Sequence, residues 1–263
     1  MTHLCQETID LTPEVYERYK EKIDDSILQT DKIADVRTMN FPKNEQKEPA
    51  KLEIIYEDVA DAGYQLQKQG YNPVILNMAS SFCPGGGWRK GTTAQEESLF
   101  YRSMYYLALE DPWKMNKNSL QYYPLQMYSA IYTPNVFFYR NKQLDGYKIL
   151  PYEECGFISC LAIAAIRNPE LNKDGLYRPS DRRVMIEKIK GIFKIALLKG
   201  HDSVVVSALG AGAYHNPPEQ VAQIFREVIP EFRKYFKRIT FAILDYRGSK
   251  NFEIFESILR KLN

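Results

Sequence analysis

From residue 51 onward the apolar positions of the chain gather into runs of strand length: KLEIIYE (51–57), NPVILNMAS (72–80), NVFFY (135–139), GFISCLAIAA (156–165), SVVVSAL (203–209) and RITFAIL (238–244). Several runs are apolar without alternation, the pattern of strands covered on both faces. Between them apolar residues recur at helical spacing. Helices are predicted over 59–69, closed by Gly70, over 95–109, over 181–199, closed by Gly200, over 217–228 and over 250–262. Strand-length and helix-length segments in alternation predict a layered α/β domain. The first fifty residues read differently. Thr12-Pro13 opens a helix in TPEVYERYKEKIDDSILQ, whose mixed charges suit a solvated surface, and FPKNEQKEPAK breaks it. The expectation is an N-terminal helical appendage over 1–50 and a main domain over 51–263.

Composition narrows the partners more than the fold. With 44% hydrophobic and 13% aromatic residues in 263, the chain can bury a large core. Its 35 Lys and Arg against 33 Asp and Glu leave a formal charge of +2, which argues against duplex nucleic acid as the main partner, and no sequence-specific nucleic-acid binding is expected. Cys5, Cys83, Cys155 and Cys160 form no C-x-x-C pair and there are only three histidines, so neither a disulfide framework nor a metal site is indicated. No apolar run reaches the roughly 18 residues of a membrane span, and MTHLCQETID lacks the basic-then-apolar order of a secretory signal. A soluble cytoplasmic or nuclear protein, monomeric and without membrane partners, is expected.

Two glycine-rich stretches carry the candidate chemistry. In SVVVSALGAGAYHNPPEQVAQIFREVI (203–229) a strand runs into Gly210-Ala211-Gly212-Ala213, and Asn216, Pro217 and Glu219 form a capping signal ahead of the amphipathic row Val221, Ile224, Phe225 and Val228. A glycine-lined turn beside a helix N-terminus leaves backbone N–H groups for an anion, usually a phosphate, though the same turn also serves as a tight connection. The stretch CPGGGWRKGTTAQEESLF (83–100) repeats the arrangement after the strand 72–80. Ligands of open α/β sheets gather beyond the carboxyl ends of the strands, so the two loops can grip opposite sides of one diphosphate. Glu96 lies three residues after Thr93, a capping-box spacing. Glu97 lies three residues before Phe100 and seven before Met104, on the row that faces the core. A carboxylate turned inward beside another has its pKa raised by desolvation and like charge, against the opposing helix dipole, and a raised pKa suits a general acid.

The triplet Gly85-Gly86-Gly87, a seven-residue spacer and Gln95-Glu96-Glu97 resemble the signature of the poly(ADP-ribose) glycohydrolases of microbial type, which are built on a macrodomain. The resemblance extends over roughly 52–262, taking in AQEESLFYRSMYY, TPNVFFYR and GAGAYHNPPEQVA. It implies a macrodomain-like three-layer α/β/α sandwich with a mixed central sheet, and hydrolysis of the ribose–ribose O-glycosidic bond of poly(ADP-ribose) without metal or cofactor. By the same resemblance Glu97 is the catalytic acid and Glu96 holds the distal ribose hydroxyls. Gly85, Gly86, Gly87, Gln95 and Ser80 on one side, and Gly210, Ala211, Gly212, Ala213 and Tyr214 on the other, contact the substrate. Ser80 departs from the pattern, standing where many members have Asn. ADP-ribose, poly(ADP-ribose) or an ADP-ribosylated protein is the implied partner. Removal of a single ADP-ribose and non-catalytic reading of ADP-ribose are the rival functions, and the acid pair argues against the second. Trp88 either packs on the substrate or closes the loop on the domain. Arg89 and Lys90 are solvated or reach a further ADP-ribose unit, and Asp245 is a cap or a ligand contact. His215 and Cys83 have no partner arranged for catalysis.

Overall fold

The computed structural model describes residues 2–245 and 248–262. Seven strands form one sheet: β1 (Asp31–Ile33), β2 (Lys51–Ile55), β3 (Pro73–Met78), β4 (Ala130–Phe138), β5 (Gly156–Ile163), β6 (Ser203–Val206) and β7 (Arg238–Ala242), in the order β1-β4-β5-β3-β6-β7-β2. The β5-β3-β6-β7-β2 block is parallel, whereas β4 runs antiparallel to β5 and to β1, so the sheet is mixed as expected. The helices are α1 (Thr2–Leu28), α2 (Val59–Lys68), α3 (Gln95–Arg102), α4 (Tyr105–Leu109), α5 (Pro179–Leu198), α6 (Pro218–Phe232) and α7 (Asn251–Leu259). Among the described residues no helix is long and apolar enough to cross a membrane.

The unbroken apolar runs are accounted for by burial on both faces. On β3, Val74 and Leu76 join a core with Ile189 and Phe193 of α5 and Ile224 and Phe225 of α6, while Ile75 joins a second core with Val59 of α2, Phe100 of α3 and Leu107 of α4. On β6, Val204 and Val206 take the first core and Val205 the second. These are the three layers: helices, sheet, helices.

Three expectations are corrected. Residues 1–50 do not stand apart as an appendage: Cys5, Ile23 and Ile27 of α1 lie in the second core, Ser26 Oγ donates to Pro134 O of β4 at 2.6 Å, and β1 closes one edge of the sheet. Helix α1 also runs through Thr12-Pro13 instead of starting there, with Thr12 Oγ1 bonded back to Thr8 O at 3.0 Å. The helix predicted over 95–109 is two helices. Ser103 leaves helical geometry at φ −147° to bridge Phe138, and its Oγ accepts the Tyr105 amide at 3.1 Å, which restarts the chain as α4.

Candidate functional site

The carboxyl ends of β3 and β6 lie side by side, and the two glycine-rich loops leave from them. The first residue of α3 locks that helix onto β3. Pairing with β6 stops at Ile75–Val205, and beyond it Gln95 continues the ladder: its Oε1 accepts Met78 N at 2.9 Å and its Nε2 donates to Leu76 O at 2.6 Å. Both ends of the Gln95 amide are thereby engaged by backbone.

The next two residues present the carboxylates. Glu96, 3% exposed, accepts Ser80 N at 2.6 Å, Asn77 Nδ2 at 3.2 Å and Gly85 N at 3.2 Å. Glu97, 7% exposed, accepts Gly87 N at 2.8 Å, Thr92 Oγ1 at 2.8 Å and Ala94 N at 2.9 Å. The helix is capped one residue later than its sequence suggested: Ala94 is the N-cap, and Glu97, not Glu96, reaches back to the cap amide. Alanine offers no side-chain acceptor, so the box is half formed, and the threonine hydroxyl that helps comes from Thr92.

Both carboxylates close on Gly86. A Cβ there would lie 2.7 Å from Glu97 Oε1 and 3.3 Å from Glu96 Oε2, at φ +54°, so side-chain-free backbone is required for the acid pair to be approached. Burial pushes the Glu96 carboxyl up from 4.5 to about 8, against the opposing hydrogen bonds from Ser80 and Asn77 and with help from the charge of Glu97. The sequence pattern assigned the raised group to Glu97. Burial under the 80–85 loop is what raises Glu96.

Ser80 supplies its amide to Glu96 and turns its Oγ onto its own loop, accepting Phe82 N at 3.1 Å and Cys83 N at 3.4 Å. Trp88 closes the loop on the domain: it is buried, packs on Phe100 and Tyr106 at 5.4 Å each, and donates from Nε1 to Glu110 at 2.9 Å. Arg89 pairs with the same Glu110, and Lys90 is exposed. Tyr101, which sequence reasoning passed over, holds the spacer by donating to Trp88 O and lying within bonding reach of Thr92 O.

The facing loop is braced by a residue expected to cap α6. Asn216 is buried, donates to Ile166 O, Gly210 O and Tyr214 O at 2.7, 3.1 and 3.2 Å, and accepts Tyr177 Oη at 2.8 Å, leaving Pro217 as the N-cap. Gly210 takes φ +77°, and a Cβ on it would meet Ala165 Cβ at 2.4 Å. Gly212 and Ala213 are exposed, and the N–H groups of Gly212, Ala213 and Tyr214 have no acceptor among the described residues. Tyr214 joins the two loops, its Oη accepting Ser81 N at 2.8 Å. His215 is exposed with Nδ1 2.7 Å from Asn168 Oδ1, and Cys83 is exposed. Asp245 accepts Asn251 N at 2.8 Å at the start of α7 and is thus a cap.

A family model, microbial-type PARG (poly(ADP-ribose) glycohydrolase), catalytic domain, matches residues 7–141, just over half of the chain. That span holds Ser80, the glycine triplet and both glutamates, and lies before the 210–214 loop. No curated protein matches the chain. Among solved structures, poly(ADP-ribose) glycohydrolase from Thermomonospora curvata is 23% identical over 98% of this chain and 98% of that one, with a TM-score of 0.79. Its form bound to the inhibitor ADP-HPD gives 22%, 97%, 98% and 0.76. The Deinococcus radiodurans enzyme in complex with ADP-ribose is 23% identical over 91% of this chain and 98% of that one, at 0.75. At these identities the likeness is one of fold.

Proposed function

The chain belongs to the family of microbial-type poly(ADP-ribose) glycohydrolase catalytic domains, enzymes that hydrolyse poly(ADP-ribose), and on that premise we propose that Glu97 and Glu96 cleave the ribose–ribose O-glycosidic bond and release ADP-ribose. The observation that carries this assignment is the meeting of two buried carboxylates over Gly86, opposite a loop with unengaged N–H groups. The Deinococcus relative holds ADP-ribose and the Thermomonospora relative holds ADP-HPD; in our reading ADP-ribose takes the crevice between the two loops here. Its diphosphate is held by the amides of Gly212, Ala213 and Tyr214, while the Gly85–Gly87 backbone, whose amides are taken by Cys83 O and the two glutamates, gives it room to pass on the other side. The ribose approaches over Gly86.

Glu96, fixed by Ser80, Gly85 and Asn77, holds the ribose hydroxyls. Glu97 gives its proton to the leaving ribose oxygen as the glycosidic C–O bond breaks, and positive charge develops on the anomeric carbon. Water adds there and passes a proton to the Glu97 carboxylate, which restores the acid. One water is consumed, and the products are ADP-ribose and a chain one unit shorter. The raised pKa of Glu96 favours a second reading in which Glu96 is itself the acid.

Steady-state cleavage of automodified polymer, with singly modified protein alongside it and calorimetry of ADP-ribose binding, tests both readings. Glu97→Gln should lower turnover by about 10²- to 10⁴-fold while keeping ADP-ribose affinity, because Gln retains the shape and loses the donated proton. Glu96→Gln should lose part in binding and part in rate. Near wild-type cleavage by Glu97→Gln with abolition in Glu96→Gln would exchange the roles.

A further inference from the structure

Between the two loops the rim displays a pair of side chains that the bond-breaking step leaves unused. Phe82 stands midway along the loop from Ser80 to Gly85 and is 62% exposed. The guanidinium carbon of Arg167 lies 5.3 Å from the centre of its ring. Both ends of the Phe82 loop are pinned to one carboxylate, since Ser80 N and Gly85 N donate to Glu96, and its crown is held from within by the Phe82 and Cys83 amides bonding Ser80 Oγ. Arg167 leaves β5 between two fixed neighbours. Ile166 gives its carbonyl to Asn216, while Asn168 donates its amide to Tyr214 O and lies against His215.

A single exposed phenylalanine is ordinary on a protein surface. An exposed ring beneath a guanidinium, both carried by braced backbone at the rim of a nucleotide site, has the parts of a stacking platform: a π-face for a base and a cation for the phosphates joined to it. Its position selects which base. Both ends of the Phe82 loop donate to Glu96, so the ring is carried beside the carboxylates, and the base nearest the bond they would cut belongs to the unit beyond the leaving oxygen, since the retained unit's own adenine lies across its diphosphate. The pair therefore flanks the exit from the carboxylates, on the side of the leaving chain.

We infer that Phe82 and Arg167 bind the next ADP-ribose unit of the polymer, the ring stacking on its adenine and the guanidinium facing its diphosphate. The inference rests on the proposed glycohydrolase site and names the part of the substrate that site would otherwise leave unheld. It separates polymer from a single ADP-ribose.

The test compares binding of a two-unit fragment of poly(ADP-ribose) with binding of ADP-ribose. Both are titrated against the full chain carrying Glu97→Gln, alone and with Phe82→Ala, Phe82→Trp or Arg167→Ala added. Phe82→Ala should weaken the two-unit ligand roughly tenfold, the scale of one lost base–aromatic stack, with ADP-ribose affinity unchanged. Phe82→Trp should retain tight binding, and Arg167→Ala should weaken the two-unit ligand and reduce its salt dependence. An unchanged ratio of the two affinities in both Phe82→Ala and Arg167→Ala overturns the inference. So does an equal loss for both ligands, which would put the platform on the retained unit. Hydrolysis of the two-unit ligand by the Glu97→Gln parent would count against the catalytic assignment instead, and the initial binding phase in rapid mixing would still decide the ratio.

Discussion

Glu96 and Glu97 are adjacent in sequence yet occupy different environments, because a helix turns by about 100° per residue and the loops on its two sides differ. One side offers Ser80, Gly85 and Asn77, the other Gly87, Thr92 and Ala94. The acid pair was legible from its type and its distance from the glycines. Which glutamate caps the helix was not, since Ala94 is a poor capping residue and the choice is made by Thr92 and Gly87 from the preceding loop. The raised Glu96 carboxyl has a thermodynamic consequence. Below pH 4.5 it is protonated in folded and unfolded chains alike and its burial carries no ionisation cost. Between 4.5 and about 8 the unfolded chain releases the proton and the folded one retains it. This group therefore lowers stability as pH rises, by up to about 1.4 kcal/mol per pH unit, and the loss is complete above the folded value. Glu96→Gln removes the ionisation. Urea unfolding at pH 5 and pH 8.5 should show the variant gaining on wild type as pH rises, whatever its offset at pH 5. Parallel pH profiles would mean that Glu96 ionises in the ordinary carboxyl range.

The loops that form the crevice were announced by their glycines, but the side chains that shape them were not. Asn216 read as a helix cap because Asn before Pro is a common start signal. In the fold its amide is used up on three carbonyls and its oxygen on Tyr177, a residue 39 positions away that local spacing cannot reveal. Ser103 likewise reads as helical until β4 offers Phe138 as a partner. The two glycines of the second loop should separate folding from binding. A Cβ on Gly212 meets nothing within 4 Å, so Gly212→Val should leave the melting temperature close to wild type, while in the proposed site it fills the space through which a phosphate would approach the backbone. Gly210→Ala should cost about 1–3 kcal/mol of stability, because its methyl would collide with Ala165 and Asn216 at a positive φ. Thermal melts and ADP-ribose calorimetry on both variants check this. Unimpaired binding by a folded Gly212→Val would make the loop a plain connector.

The alternation of strands and helices made the three layers readable from residue 51 onward, because an unbroken apolar run of strand length needs cover on both faces, and the helical segments between the runs supply it. The place of the first fifty residues was hidden for a physical reason. The buried positions of α1 are Cys5, Thr8, Thr12, Ile23, Ser26 and Ile27, half of them hydroxyl residues, and charged positions crowd the rest of the helix. Its hold on the fold is partly polar: Thr12 Oγ1 lies 2.5 Å from Tyr106 Oη, and Thr30 O, just past its end, accepts Asn116 Nδ2 and Tyr122 Oη. The edge strand β1, with three residues, is too short to carry a period. A fragment over 51–263 would expose the faces of α3, α4 and β4 that α1 covers, together with the edge of β4 that β1 pairs. Ile27→Ala in the full chain should already cost about 2–4 kcal/mol, the range for a buried isoleucine that leaves a cavity. The full chain should melt cooperatively and gain about 5–10 °C at ADP-ribose concentrations near a hundred times its Kd, since a ligand of the folded state stabilises it by about 2.7 kcal/mol at that excess. The 51–263 fragment should show neither a cooperative melt nor a ligand-dependent shift. A fragment that melts sharply and responds to ADP-ribose would show that the second core closes without α1, and the N-terminal helix would then be an appendage in energy although it is packed in structure.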